Sequence, residues 1–227
     1  MHLESRAIDR ILSSMPLFSE MSPECLEVLS KSTRLLSFAR GETIFRKGDP
    51  ADGFYYVFDG KVKLFFVSER GAEKIIEIIT PGLTFGEAVM FINKPYPVFA
   101  ETLVESHLVY IHRDSLLEAM QHHQQMAPRL LSGLSQRMHS LVVGMEALCV
   151  HSSQERVVGY LLSEIERSGG SSMELPATKV AVASMLNLTP ETFSRILHGL
   201  EKEGLLTVDR RVIRALDLQR LREHAGC

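Results

Sequence analysis

Cysteine is scarce in this chain: Cys25, Cys149 and Cys227 are widely spaced, and no two form a CxxC pair. Zinc ribbons need thiols grouped at short spacing, so a site of that kind is excluded and reduced, separate thiols are expected. No run of eighteen or more uncharged apolar residues occurs, which argues against a membrane span. Glu4, Arg6, Asp9 and Arg10 interrupt the first fifteen residues, where a signal peptide would need an apolar stretch. A cytoplasmic location is therefore expected. GxSxG, HExxH, P-loop and dinucleotide fingerprints are all missing, so no enzymatic activity is expected. An excess of one charge sign is missing too. Net charge is −3, and residues 152–227 carry ten basic and ten acidic side chains. A nucleic-acid binder normally shows a basic surplus, so any such role has to be argued from a motif.

What is present falls into three textures. Ile8, Ile11, Leu12 and Met15 share one helical face near the N-terminus. Ser22-Pro23-Glu24 signals a second short helix, with a cap followed by proline at the first helical position. From Leu35 to His112 the period becomes that of strands, in runs such as Phe54–Phe58, Val62–Val67, Ile75–Ile79 and Leu108–Ile111. Gly41, Gly48, Gly60, Gly71 and Gly82 punctuate them at intervals of about ten residues, so strand–turn–strand repeats folding into a small barrel or sandwich are expected. Residues 113–166 read as helical, with Pro128 as the main interruption.

Within that helical stretch Leu131, Leu134, Met138, Leu141, Met145 and Leu148 are spaced 3, 4, 3, 4, 3. This narrow a/d seam predicts a two-stranded coiled coil between subunits. Ser168–Ser172 reads as a loop that closes the helical region.

The most specific segment is Ala177–Leu200. Thr178 and Lys179 open a short helix, Asn187-Leu188 makes a turn, and Thr189-Pro190-Glu191 opens a second helix with a cap, a proline and an acid in the first turn. On that second helix Glu191, Ser194, Arg195 and His198 share one face, with Thr192 at its edge, and Phe193, Ile196, Leu197 and Leu200 share the other. An acceptor, a hydroxyl and a guanidinium on one face suit base edges in a major groove, Arg195 for guanine and Glu191 for a base amino group. Gly204 ends the helix. Leu205–Arg214 then reads as a hairpin whose three arginines, Arg210, Arg211 and Arg214, are placed to meet phosphates.

Gly41–Asp49, Phe85-Gly86-Glu87-Ala88 and Leu188–Arg195 together resemble the CRP/FNR superfamily, from about residue 15 to about residue 218. That resemblance implies an α+β protein: a β-roll sensor domain (1–124), a dimerisation helix (125–151) and a winged helix-turn-helix (152–227). It implies a homodimeric transcription activator that binds double-stranded DNA and works with RNA polymerase. Glu191, Ser194 and Arg195 match the Glu-x-x-Ser-Arg pattern of the FNR branch, which implies a TTGAT-N4-ATCAA-like palindrome.

For the effector, cyclic AMP in this family needs a Gly-Glu pair and an Arg-Ser pair. Gly86-Glu87 supplies the first, but Lys94-Pro95-Tyr96-Pro97-Val98-Phe99 stands where the second should follow, so cyclic AMP is not expected. Nor is an iron–sulfur cluster, because Cys25 alone precedes Cys149. The resemblance to the nitric-oxide-responsive subgroup implies haem. Candidate pocket residues are Phe85, Gly86, Glu87, His107 and His139, with no metal ligand assigned. The alternative is a regulator sensing another small ligand, or none.

Overall fold

The computed structural model describes residues 2–15, 18, 23–69, 71–122 and 126–225. The Ser22 cap lies outside the described residues, as do Cys227 and His123 and the side chains of Cys25, His122, Met145, Leu148 and Cys149. The chain divides into two compact units, Met1–Glu73 with Glu77–Met138, and Lys74–Ile76 with His139–Cys227.

The first unit opens with helices α1 (His2–Ser14) and α2 (Pro23–Ser32), then strands β1 (Arg34–Phe38), β2 (Thr43–Phe45), β3 (Gly53–Asp59), β4 (Val62–Val67), β5 (Glu73–Ile79) and β6 (Thr84–Phe85). A five-residue helix α3 (Glu87–Phe91), strands β7 (Phe99–Thr102) and β8 (Ser106–His112), helix α4 (Arg113–His122) and the long helix α5 (Met126–Val150), whose residues from His139 onward belong to the second unit, follow. The strands form two four-stranded sheets, ordered β1-β8-β3-β6 and β2-β7-β4-β5.

Strand β8 lies between β1 and β3 and is covered on both faces. Leu108 points into the core between the sheets, with Phe45, Val57, Ile79 and Phe85. Val109 and Ile111 point the other way and pack with Leu12 of α1, Leu29 of α2 and Leu116 of α4. A strand buried on both faces reads as a continuous apolar run, as Leu108–Ile111 does. Several glycines expected at turns have positive φ, and Gly60 is also sterically required: a Cβ there would lie 2.2 Å from the Ser106 hydroxyl.

The second unit holds α6 (Ser153–Ser168), β9 (Ser172–Glu174), α7 (Lys179–Met185), α8 (Pro190–Lys202), β10 (Leu206–Asp209), β11 (Val212–Ala215) and α9 (Leu218–Glu223). Ser152 and Glu155 form a reciprocal capping box at the start of α6. Val157, Leu161, Ile165, Val182, Phe193, Leu197, Leu200, Ile213 and Leu221 share one buried core.

Two expectations are corrected. Pro128 does not interrupt the helical region. It sits in the first turn of α5, where its missing N–H has no intrahelical partner to lose. The true break visible among the described residues is at His151-Ser152, between α5 and α6. Nor is Ser172 simply loop: it begins β9, which pairs antiparallel with β11 and adds a third strand to the wing sheet. The sequence reading also passed over β1, β7, α3 and α9, all short elements whose pattern is too brief to show a period.

Candidate nucleic-acid interface and sensor site

Helix α7 is capped by Thr178, whose Oγ1 accepts from the Ala181 N–H at 3.3 Å, and Lys179 is half-buried at its first position. The turn after α7 places Asn187 at φ 58°. Asparagine tolerates the left-handed region better than most side chains, so the residue suits the turn. Thr189 then caps α8. Its Oγ1 accepts from the Thr192 N–H at 3.2 Å, its hydroxyl donates to Thr192 Oγ1 at 3.1 Å, and Pro190 takes the first helical position.

With both ends of the turn held, the faces of α8 separate cleanly. Phe193, Leu197 and Leu200 are buried and Ile196 is half-buried against the same core. Glu191, Ser194, Arg195 and His198 are exposed, with Thr192 half-buried beside them. Packing of the apolar face therefore presents an acceptor, a hydroxyl, a guanidinium and an imidazole to solvent as one stripe.

The wing is the β10–β11 hairpin, in register from Leu206↔Ala215 to Asp209↔Val212, with Arg210 at φ 54° in its two-residue turn. Arg210 and Arg214 are exposed. Arg211 is not available in the same way: its Nη2 donates to the Leu175 carbonyl at 2.6 Å and stands 3.7 Å from Glu174. Two wing arginines, rather than three, face solvent unengaged among the described residues.

The neutral charge count of this unit also has a structural explanation. Glu155 and Asp217 cap helices, Glu201 accepts from the Val208 N–H, Glu166 pairs with Arg222 and Glu203 stands 3.3 Å from His224. Those acids serve the scaffold. Arg195, Arg210 and Arg214 have no ion-pair partner among the described residues, so positive charge remains where α8 and the wing face out.

In the first unit, Phe85 is fully buried and stacks on Tyr55 at 5.1 Å and 14°. Gly86 precedes α3 at φ 93°, and a Cβ on it would approach the Tyr96 ring to 3.2 Å. Tyr96 is itself buried, stacks on Phe45 at 3.6 Å and 7°, and donates its hydroxyl to the Gly53 carbonyl at 3.0 Å. Backbone bonds from Gly48 N–H to Tyr96 O and from Tyr96 N–H to Asp49 O hold this loop down. The rings of Phe45, Tyr55, Phe85 and Tyr96 thus fill the space between the sheets. Burial pushes the Tyr55 hydroxyl up to about 12, and Tyr96 rises further for the same reason, so both stay neutral hydroxyls at ordinary pH.

Glu87 is buried and held by a residue the sequence reading missed. Arg137 of α5 donates from Nη1 to the Thr84 carbonyl at 2.7 Å and to Glu87 Oε1 at 3.3 Å, and from Nη2 to Glu77 Oε2 at 2.5 Å. The second oxygen of Glu87 is buried without a hydrogen-bond partner among the described residues. Fifty residues separate Glu87 from Arg137, and no local pattern in the sequence links them. Replacing Arg137 by Ala leaves the buried Glu87 carboxylate with no cation and only the long bond from the Thr84 hydroxyl at 3.4 Å, and should cost about 1–3 kcal/mol of stability, measured by urea denaturation. An unchanged midpoint would mean that water replaces the guanidinium without loss.

The remaining pocket candidates are not gathered with Phe85 and Glu87. His107 lies within β8 and, by strand alternation, faces away from Leu108 and the ring-filled interior. It lines an open groove of about 510 Å³ with Leu35, Phe58 and Asp59. His139 is exposed on α5. Among the described residues, no group of three or more His, Cys, Asp or Glu side chains is placed to hold a metal ion. No helix among them is long and apolar enough to cross a membrane.

Comparison with known proteins agrees with both halves of this description. Residues 35–123 match the cyclic nucleotide-binding domain family, and residues 155–224 match the Crp-like helix-turn-helix domain family. The chain is 37% identical to the DNR protein of Pseudomonas aeruginosa, covering 96% of this chain and 98% of that one, with a TM-score of 0.52. It superimposes on FixK2 from Bradyrhizobium japonicum with a TM-score of 0.78, at 26% identity over 86% of this chain and 98% of that one. A CRP-like cAMP-activated global transcriptional regulator of Mycobacterium tuberculosis is 26% identical over 96% of this chain and 100% of its own length. These relatives are transcription regulators rather than enzymes. With the sensor fold, the helix-turn-helix and near full-length similarity in agreement, the chain belongs to the CRP/FNR family of DNA-binding transcription regulators.

Proposed function

We propose that this chain is an effector-responsive cytoplasmic homodimer that binds a TTGAT-N4-ATCAA-like palindrome and activates transcription with RNA polymerase. The observation that carries this reading is the exposed stripe Glu191, Ser194, Arg195 and His198 on α8, backed by a fully apolar inner face. Arg195 bonds O6 and N7 of a guanine, and Glu191 accepts from the amino group of a cytosine or adenine. Arg210 and Arg214 on the wing hold phosphates and set the register. Two copies joined along the Leu131–Leu148 seam place their α8 helices about 34 Å apart, in successive major grooves. An effector that binds one arrangement of the dimer more tightly than the other shifts the balance between DNA-competent and DNA-incompetent states.

The effector in this reading is nitric oxide, sensed through haem, and the regulated genes serve nitrogen-oxide respiration. When bound, haem would supply the iron that takes the gas. Cyclic AMP is set aside because Pro97 and Val98 offer no side-chain donor to a cyclic phosphate, while the Tyr96 hydroxyl is engaged by the Gly53 carbonyl and its ring fills the space between the sheets. That same filled interior favours a second reading, in which the roll senses a different ligand or none.

Arg195→Ala is the test of the DNA assignment. It should cost about 1–3 kcal/mol on the palindrome and relax discrimination at one base pair per half-site. Equal weakening on every sequence would make Arg195 a phosphate contact and overturn its reading role.

A further inference from the structure

We infer that the sugar–phosphate backbone of bound DNA packs directly against helix α8 at Gly199, in a contact that needs the missing side chain. This contact rests on the DNA-binding reading above and adds the place where a strand's backbone touches the helix. Gly199 lies in the interior of α8. After proline, glycine is the residue least suited to such a position, because it has the most backbone freedom to lose.

Nothing in the fold asks for glycine there. Gly199 is not among the glycines of positive φ, and a Cβ built on it would meet nothing within 4 Å. Alanine would therefore fit and would hold the helix better. Among the described residues Gly133 of α5 and Gly159 of α6 are helical and equally open. Gly199 differs in its neighbours. Thr192, Arg195, Gly199 and Lys202 follow one another at spacings of 3, 4 and 3, so they form one ridge of the helix, with His198 beside it. Arg195, His198 and Lys202 are exposed, and Gly199 is partly exposed.

The length of the helix says what comes close. Gly199 is eight residues beyond Glu191, which is about 12 Å along the axis. The major groove of B-DNA is also about 12 Å wide. A helix that turns its N-terminal half to base edges and runs on across the groove meets the far wall near Gly199, as a row of deoxyribose and phosphate. A bare helical backbone lets that wall come into van der Waals contact, which a side chain at this position would hold off. Charge agrees with this placement. Lys202, in the last turn of α8, makes no hydrogen bond or ion pair among the described residues. The adjoining acids are engaged elsewhere, Glu201 at the Val208 N–H and Glu203 beside His224.

The test combines thermal unfolding of the full-length protein with fluorescence-anisotropy titrations on the palindrome and on duplexes changed at each half-site position. Gly199→Ala and Gly199→Gln are compared with Gly159→Ala, equally open but on α6, whose apolar face shares the core beneath α8. Gly199→Ala and Gly159→Ala should each raise the melting temperature by about 2–8 °C. Gly199→Ala should nonetheless weaken DNA binding about 5-fold or more, and Gly199→Gln about 100-fold, by overpacking the contact. Both losses should be the same on every duplex, and Gly159→Ala should leave binding unchanged. Lys202→Ala should also weaken binding on every duplex and lower the salt slope by about one. Gly199 variants of unaltered affinity, or an equal loss in Gly159→Ala, would overturn the contact and leave the DNA-binding reading standing. So would a loss confined to one base-pair position, which puts a base and not the backbone against Gly199. A lower melting temperature for Gly199→Ala would show that the fold itself needs the glycine, and a salt slope unmoved by Lys202→Ala would take the strand away from this end of α8; either result sinks the contact. An unaltered chain that binds no duplex would overturn both the contact and the reading it rests on.

Discussion

Met138→Glu is expected to convert the dimer to a monomer at micromolar concentration and to abolish tight binding to the palindrome. On α5, Leu131, Met138 and Leu141 are 64%, 65% and 57% exposed, and Val142 beside them is 59% exposed. Single exposed apolar residues are common, but four along one helix, three of them at the seam spacing, mark a face made to be covered. In the proposed dimer a second copy with the same seam covers it symmetrically, so the substitution introduces two carboxylates into one small apolar contact. Each would be desolvated beside a like charge. DNA binding falls because the second half-site is then no longer reached from the first, and the loss of effective concentration is about 10²- to 10⁴-fold. Sedimentation velocity and a fluorescence-anisotropy titration measure the two effects together. Met138→Leu keeps the seam apolar and should leave both unchanged. A dimer that survives Met138→Glu would mean that the exposed row on α5 has another role.

Phe193→Ala should unfold much of the second unit's margin of stability. Phe193 is fully buried at the centre of the core that joins α6, α7, α8 and the wing. Truncating a buried phenylalanine costs about 3–5 kcal/mol, from the lost transfer of the ring and the cavity left behind. Domains have only about 5–15 kcal/mol in all, so urea denaturation should show an early transition for this unit, with DNA binding lost at the same point. Phe193→Leu should cost far less, because an apolar side chain still fills most of the space. A loss below about 1 kcal/mol for Phe193→Ala would mean that the surrounding helices close over the cavity, and that α8 is positioned chiefly by its capped turn.

The helix-turn-helix was legible in the sequence because its determinants are local. Thr178, Asn187, Thr189 and Pro190 each act on backbone within three or four residues, and the structure puts each to the use its chemistry suggests. The strand runs were legible for the same reason, through alternation and glycine spacing. Short elements such as β9 and α3 were not, since three to five residues cannot display a period. Pro128 was misread because its effect depends on position: the same ring that breaks a helix interior is harmless in the first turn.

The sequence by itself determined the family, the succession of helical, strand-rich, helical and helix-turn-helix regions, and which face of α8 turns outward, because periodicity and capping fix how each longer segment folds and what it must bury. The tertiary structure decided what depends on partners distant in the chain. Glu87 meets Arg137 fifty residues on, Tyr96 closes the interior against Phe45 and Gly53, Arg211 is drawn away from the wing surface by Leu175, and His107 faces a groove with Leu35 and Phe58 instead of Phe85. Each is a contact between segments brought together by sheet pairing and helix packing, and such contacts leave no repeating mark along the chain.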